Sequence, residues 1–227
     1  MPKRLLLVDN GINAHYRPAE DWAEHLSLPT DTIRAPFEPF PNTLVPYSHL
    51  LFTGGLSSTC ENALWQQQER ALILRAINEN KNVLCVCFGF QLLAQAVFGP
   101  EAVCSRLTQG KAPEIGWTEI SVRRDDRLLG EQGRSHWAYV IHFDDVCRVD
   151  TEIADIIAVS DACPIHGVKL KGQNVWGVQA HFEVNMETGS RYNAMYTAAY
   201  PQISGVIMKP ARDSGFIVPM MSCFEQL

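Results

Sequence analysis

The chain has 227 residues, 46% of them apolar, with a formal net charge of −6 and a pI near 5.6. This length and composition predict a sizeable core and, most simply, one large α/β domain. The acidic balance argues against binding to the phosphate backbone of nucleic acids, and no apolar run resembles a signal peptide or reaches membrane-spanning length. We therefore expect a cytoplasmic protein with neither a nucleic acid nor a membrane as partner.

The first half of the chain alternates apolar runs with turn-forming and amphipathic segments. Short apolar runs predict strands, and apolar residues at helical spacing among Gln, Glu and Arg predict helices. In chain order these are a strand at 3–8, an irregular segment with five prolines at 29–46, a strand at 47–53, a helix at 61–79, a strand at 83–87 and a helix at 91–98. This order is typical of a parallel sheet with crossover helices.

The second half predicts mostly short strands and one closing helix. The predicted elements are strands at 115–122, 138–142, 156–160 and 164–170, a hairpin turn at 171–174, a strand at 175–180 and a helix at 187–200. We expect residues 1–202 to form the domain and residues 203–227 to form an apolar tail that packs on this domain or on a partner.

The seven cysteines favour a reducing compartment, because their number is odd and the chain is too large to need disulfides. Cys85 and Cys87 have the spacing of a metal-binding pair. No second Cys or His pair with zinc-like spacing accompanies them, so we expect neither a metal nor another cofactor.

The segment 82–94 predicts a cysteine at a strand-to-helix elbow. An apolar run breaks at Cys87 and Gly89 and turns at once into helical spacing. A thiol at such a helix N-terminus lies beside backbone N–H groups without helical partners, which stabilise both a thiolate and a developing oxyanion. We therefore interpret Cys87 as a candidate nucleophile.

A nucleophilic thiol needs a base, and His181 with Glu183 supplies one at the end of the last predicted strand. Residues i and i+2 of a strand point to the same side, so the carboxylate can orient the imidazole. Taken alone, a buried Cys is usually a core residue and a His-x-Glu is usually a surface pair. The joint order of a Gly-Gly loop at 54–55, the Cys elbow and His-x-Glu, each after a predicted strand, favours a catalytic site.

With these motifs the chain resembles the class I glutamine amidotransferase family over about residues 3–200. The resemblance rests on the Gly-Gly loop at 53–55, the Cys-x-Gly-x-Gln elbow at 87–91 and the Gly-Val-Gln-x-His-x-Glu segment at 177–183. Residues 114–117 and 141–146 resemble elements of free-standing members that are similar to the glutaminase part of GMP synthase. The resemblance implies a flavodoxin-like α/β fold with a mostly parallel central sheet, helices on both faces and a small antiparallel portion.

The resemblance also implies roles for individual residues. The implied roles are Cys87, His181 and Glu183 as catalytic triad, the backbone of Gly55 and Phe88 as oxyanion hole, and Gly54, Gln91, Ile141, His142 and Phe143 as contacts for the substrate. Cys87 would carry a γ-glutamyl thioester. The sequence departs from the family pattern at Cys85, Phe90 and Phe182, where the family usually has Gly, His and Pro. We expect Phe90 and Phe182 to flank the site and to make it tighter or more apolar.

Three functions remain open at this point. The first is a glutaminase that supplies ammonia to a separate acceptor synthetase as its partner, since no synthetase module fits in the remaining residues. The second is a self-sufficient hydrolase of γ-glutamyl amides or peptides with the same triad. The third is a catalytically silent binding module, which the intact Cys87, His181 and Glu183 argue against.

Overall fold

A computed structural model gives the structure of the protein for residues 2–13, 16–199, 201, 207–208, 212 and 215–227. The strands of this part are β1 Leu5–Asn10, β2 Thr30–Arg34, β3 His49–Gly55, β4 Asn82–Val86, β5 Val103–Ser105, β6 Glu114–Val122, β7 Ser135–His142, β8 Asp144–Val146, β9 Ala154–Val159, β10 Gly167–Leu170, β11 Val175–Val178 and β12 Ile207–Met208. The α-helices are α1 Pro18–Ala23, α2 Leu64–Asn78, α3 Phe88–Phe98, α4 Met186–Ala199 and α5 Ile217–Glu225.

One large sheet organises the described residues in the order β12-β6-β9-β10-β11-β4-β3-β1-β2, with β7 paired to β6. The strands β2, β1, β3, β4 and β11 are mutually parallel, whereas β11, β10, β9 and β6 pair antiparallel. A second, two-stranded sheet joins β5 and β8 in antiparallel fashion. The predicted α/β class, with a mostly parallel sheet and a smaller antiparallel portion, is confirmed.

The sheet is buried on both faces because successive side chains of its strands point to opposite sides. Leu6 and Val8 of β1 pack into one cluster with residues of α2 and α3. Leu5 and Leu7 pack into another, with Trp22 of α1 and residues of α5. This two-sided burial explains why β1, β3 and β4 are almost continuously apolar in the sequence. Helices therefore cover both faces, as predicted.

The prediction of an irregular segment across residues 29–46 was wrong at its start. Residues Thr30–Arg34 form β2, which pairs in parallel with β1 at the edge of the sheet. An edge strand is paired on one side only, and this one is partly exposed and largely polar, so it lacks the apolar pattern of a buried strand. The helix α1 and the small β5–β8 sheet were likewise not predicted, because each is too short to show a clear periodicity.

The end of the chain packs on this fold. Met220, Met221 and Phe224 of α5 are buried in the same cluster as Leu5 and Leu7. The carboxylate of Glu225 accepts hydrogen bonds from the backbone N–H groups of residues 27 and 28 at 2.7 and 3.0 Å. The predicted domain boundary at 202–203 lies outside the described residues and stays a prediction. No described helix combines the length and the apolar character needed to cross a membrane.

Candidate active site

Cys87 occupies the elbow between β4 and α3 in a backbone conformation that side chains rarely adopt, with φ +50° and ψ −107°. Its N–H donates to the carbonyl of Val178 at 2.8 Å, and its carbonyl accepts from the N–H of Gln91 at 3.0 Å. The next turn of the helix is pressed onto β3, since a Cβ at Gly89 would lie 2.8 Å from the Phe52 carbonyl oxygen. Strained residues of this kind concentrate at active sites, where the surrounding structure holds them.

His181 lies just past β11 and faces the elbow. Its N–H donates to the carbonyl of Tyr139 at 2.8 Å, which fixes its backbone against β7. Its Nδ1 lies 2.7 Å from Oε1 of Glu183, and both side chains are almost fully buried. Nε2 has no hydrogen-bond partner of normal geometry in the described part of the chain. This leaves Nε2 available for proton transfer.

The electrostatics of His181 connect it to both neighbours. Burial lowers the pKa of His181, but the charges of Glu183 and Cys87 outweigh burial and raise that pKa well above its ordinary value. The imidazolium form is therefore favoured. A positive charge at this position stabilises a thiolate on an adjacent cysteine. The sequence-predicted triad residues are thus brought together.

The Gly-Gly loop ends β3 directly against this pair. An ideal Cβ at Gly54 would lie 2.5 Å from Cε1 of His181 and 3.4 Å from Cβ of Cys87. At Gly55 it would lie 3.2 Å from Cγ of Phe88. Phe88 is the first residue of α3, so its N–H has no acceptor within the helix. The absence of side chains at 54 and 55 lets the loop backbone approach both the base and the elbow.

A buried polar network that no sequence pattern indicated supports this loop. The Asn10 side-chain amide donates to the Thr53 carbonyl at 2.9 Å and to Oε1 of Glu69 at 3.0 Å, and the Asn10 N–H donates to Oγ1 of Thr53 at 3.0 Å. Burial raises the pKa of Glu69 to about 8, against the opposing hydrogen bond from Asn10. The one available signal was Glu69 itself, a carboxylate on the apolar face of α2.

A cavity of about 570 Å³ opens above the elbow. Its lining includes residues predicted as substrate contacts, oxyanion donor or nucleophile, and the cavity also reaches α4. The predicted residues that line it are Gly55, Cys87, Gln91, Ile141, His142 and Phe143, and the wall from α4 consists of Met195, Tyr196 and Ala199. Gly54, Phe88, His181 and Glu183 lie behind this lining. The sulfur of Cys87 is therefore the triad atom nearest to a bound molecule.

The predicted residues in this lining are also tied to one another. Gln91 donates from Nε2 to the carbonyl of Asp144 at 2.9 Å, which joins α3 to the segment after β7. The thiol of Cys87 lies 3.7 Å from the carbonyl oxygen of Ile141, to which it donates. The backbone at 141–143 therefore borders the nucleophile, as predicted.

The prediction that Phe90 and Phe182 flank the site was wrong. Phe90 is fully buried on the other side of the elbow, where its ring fills the space that a side chain at Gly177 would need. Phe182 points away from the cavity and packs edge-to-face on the ring of Phe216 at 5.4 Å. Cys85 is likewise buried on the sheet face opposite to that of Cys87, so the two thiols do not form a metal-binding pair.

Tyr16 is an aromatic residue at the site that no sequence pattern indicated. Its ring is almost fully buried and packs edge-to-face on Tyr192 of α4 at 5.3 Å between centroids. Its hydroxyl oxygen lies 3.0 Å from an ideal Cβ at Gly54. Burial, followed by the charges of Cys87 and Glu183, raises the pKa of Tyr16 well above its ordinary value. Tyr16 is therefore a neutral hydroxyl next to the triad.

The stretch of chain that carries this site matches a known protein family. The family model described as glutamine amidotransferase class-I matches residues 6–194, which is most of the chain. The chain belongs to the class I glutamine amidotransferase family. The match contains the elbow of Cys87, the loop at Gly54 and the His181–Glu183 pair.

Relatives of this amidotransferase include subunits of GMP synthase. One such subunit of a glutamine-hydrolyzing GMP synthase, from Methanocaldococcus jannaschii, is 32% identical over 109 residues, which are 48% of this chain and 54% of the relative. The corresponding subunit from Pyrococcus abyssi is 27% identical over 141 residues, or 60% of this chain and 66% of the relative. The matched part therefore spans about half the length of the first of these curated relatives.

Solved structures of amidotransferases share the fold over the whole length of the chain. A glutamine amidotransferase from Thermotoga maritima superimposes with a TM-score of 0.75 at 18% identity and covers 100% of this chain and 97% of its own. A glutamine amidotransferase from Methylobacillus flagellatus gives a TM-score of 0.71 at 20% identity, with 100% and 91% covered. At these identities the likeness shows the fold alone.

The close approach of Gly54 to the base gives a first prediction for this amidotransferase. Gly54→Ala is expected to lower kcat for glutamine hydrolysis by about 10²-fold, because the added methyl group must displace His181 or the loop by about 1 Å. Steady-state kinetics with thermal unfolding of the same preparation checks this. An unchanged kcat in a folded variant would show that the loop backbone does not contact the working base.

Proposed function

We propose that this amidotransferase hydrolyses the side-chain amide of glutamine through a γ-glutamyl thioester on Cys87 and supplies the ammonia to a separate acceptor enzyme. The observation that carries the proposal is the buried His181–Glu183 pair, joined at 2.7 Å and facing a strained cysteine that opens to a cavity. A core cysteine would need neither the positive φ nor the imidazole.

The first half-reaction forms the thioester. The thiolate of Cys87 attacks the amide carbon, so that a C–S bond forms and the carbonyl oxygen takes up the negative charge. The backbone N–H groups of Gly55 and Phe88 are the donors that we assign to this oxyanion. His181 gives its proton to the amide nitrogen, the C–N bond breaks, and ammonia leaves.

The second half-reaction returns the enzyme to its starting state. The neutral His181 accepts a proton from water, and the resulting hydroxide attacks the thioester carbon. The C–S bond breaks, glutamate leaves, and the sulfur returns as thiolate beside the imidazolium. Throughout, Glu183 accepts the Nδ1–H of His181 and stabilises its positive charge. We assign Gly54, Gln91, Ile141, His142 and Phe143 to binding of the substrate.

The assignment of an acceptor enzyme rests on the relatives. The curated relatives carry the name of a GMP synthase subunit, so hydrolysis and synthesis are divided between chains there. The described part of this chain is one amidotransferase fold. We therefore propose an ammonia-accepting synthetase as the partner.

The cavity keeps a self-sufficient γ-glutamyl hydrolase as the second candidate. Its volume of about 570 Å³ exceeds what one glutamine fills, and its outer wall is formed by Met195 and Tyr196, which suit a bulkier leaving group. The experiment that separates the two measures glutamate release from glutamine and from a panel of γ-glutamyl amides, with Cys87→Ala in parallel. We expect glutamine turnover that is slow without a partner. Rapid partner-free turnover of bulky amides with inert glutamine would contradict the proposal.

A catalytically silent protein is tested by covalent labelling. A diazo-ketone analogue of glutamine is expected to add one label per chain, at Cys87, as read by mass spectrometry of the peptide that contains it. A protein that remains unlabelled there, while it binds glutamine in a calorimeter, would be a binding module instead.

Glu183→Gln is expected to lower kcat by about 10³–10⁴-fold with little change in KM, because an amide neither holds the working tautomer nor stabilises the imidazolium. The same change removes a charge that raises the pKa of His181, so the pH at which the imidazole loses its proton falls. A pH–rate profile measures both effects. Glu187→Gln, which alters an exposed carboxylate on α4, is the matched control and should leave kcat unchanged.

A further inference from the structure

A second cluster of ionisable side chains lies beside the cavity and takes no part in the proposed hydrolysis. It consists of Glu114 on β6, His142 at the end of β7 and His166 just before β10, all buried. One carboxylate oxygen and one nitrogen of each ring lie within 4.8 Å of one another. Three protein ligands of this kind, two imidazoles and a carboxylate, are a donor set that zinc and related ions bind.

Several atoms of this cluster are buried without a hydrogen-bond partner. Neither ring nitrogen of His166 has one, and Oε1 of Glu114 also lacks one. Buried polar atoms are almost always paired in folded proteins, so an orphaned imidazole needs an explanation. Burial also lowers the pKa of His166 to about 4, and a neutral imidazole is the form that binds a metal. An ion at the centre of the cluster would give these atoms a partner.

The surroundings of His142 resemble the outer shell of a metal site. Its Nδ1 lies 3.1 Å from Oδ1 of Asp145, whose carboxylate is held by Nη1 of Arg106 at 2.9 Å. Metal-binding histidines usually donate their second ring N–H to a carboxylate in this way, which fixes the tautomer and the ring orientation. The other nitrogen, Nε2, points to Glu114 at 3.1 Å and is therefore aimed into the cluster.

Two features oppose an ion. Arg106 lies 3.8 Å from the carboxylate of Glu114, and Lys111 lies 3.9 Å from that of Asp145. Burial lowers the pKa of His142, but the two carboxylates raise it to about 9, so binding must displace its proton. A divalent ion then adds one net positive charge instead of two. The ligand atoms must also close from 4.8 Å to roughly 3.3 Å, the separation across a tetrahedral zinc ion.

We propose that Glu114, His142 and His166 bind one divalent transition-metal ion, of which zinc is the expected type. The site is distinct from the triad, and it shares a wall with the cavity through His142. The proposal does not depend on glutamine hydrolysis, because it rests on the cluster alone.

The test uses Co²⁺ as a spectroscopic substitute for Zn²⁺ in the full chain carrying Cys87→Ala, which removes the reactive thiol. Visible d–d bands without a thiolate charge-transfer band, at one ion per chain, are the expected result. Zn²⁺ should displace Co²⁺ from this site. A thiolate band would place the ion on one of the other cysteines and overturn the proposal, as would the absence of any d–d band.

Variants then locate the ion. His166→Gln in the same background is expected to weaken Zn²⁺ binding at least 100-fold in a competition assay, whereas His136→Gln, which alters a buried histidine outside the cluster, should leave it unchanged. Zn²⁺ should also raise the Tm of the His136→Gln chain but not that of the His166→Gln chain. If His166→Gln does not fold, Glu114→Gln takes its place. Equal affinity in the cluster variant and the control would refute the site.

Discussion

Replacing Cys87 with alanine is expected to lower glutamine hydrolysis by about 10⁴-fold or more, because no other group can then carry the γ-glutamyl thioester. The neighbouring His181 and the loop at Gly54 remain in place, so substrate binding should persist. Glutamate release under single-turnover conditions measures the loss, and calorimetry measures the binding that is retained.

The matched control for this substitution is Cys85→Ala. Cys85 lies two residues away along the chain but is fully buried on the opposite face of the sheet, and burial raises the pKa of its thiol well above the ordinary value. It is therefore expected to be inert, and its replacement should alter stability without removing catalysis. If Cys85→Ala abolished turnover in a folded chain while Cys87→Ala did not, the nucleophile would be misassigned.

Glu69→Gln is expected to remove a large pH dependence of stability. The pKa of Glu69 is raised from an ordinary 4.5 to about 8 in the folded chain. Between these values the folded protein holds a proton that the unfolded chain has lost, so the free energy of unfolding falls as pH rises. The shift corresponds to about 5 kcal/mol, all of it lost by pH 8 and above. Glutamine keeps the acceptor for Asn10 without the buried charge.

Denaturant unfolding at pH 5, 6.5 and 8.5 measures this effect as a difference between the two chains. The variant should gain stability relative to wild type as pH rises, which cancels the contribution of groups that titrate in both proteins. Glu38→Gln, at an exposed position, is the control and should follow the wild-type curve. Parallel curves for wild type and Glu69→Gln would show that the buried carboxylate does not hold its proton.

The parts of the site that the sequence predicts are those encoded by short local spacing. Cys87 shows itself by the change from a strand pattern to a helix pattern within three residues, and His181 with Glu183 shows itself by alternation along a strand. The Asn10–Glu69 bond joins residues 59 positions apart, and no local pattern marks such a pair. The same holds for the cluster of Glu114, His142 and His166, which three separate strands bring together.

The fold could be predicted where strands are buried on both faces and less well where they are not. The apolar runs of β1, β3 and β4 mark the centre of the sheet, whereas β2 is an edge strand whose polar residues resemble a loop. Side-chain direction was the other source of error. Phe90 was placed at the site because it is three residues from Cys87, but on a helix this offset turned its ring into the core under Gly177.

The packing of α5 on β1 opposes the order in which the chain is made. Lys3 donates from Nζ to the backbone carbonyl of Glu225, 222 residues away, and Leu5 and Leu7 share their apolar cluster with Met220 and Phe224. Contacts of such sequence separation close late, since the intervening chain must be ordered first. During synthesis, one face of the first strand therefore stays uncovered until nearly every other residue has left the ribosome.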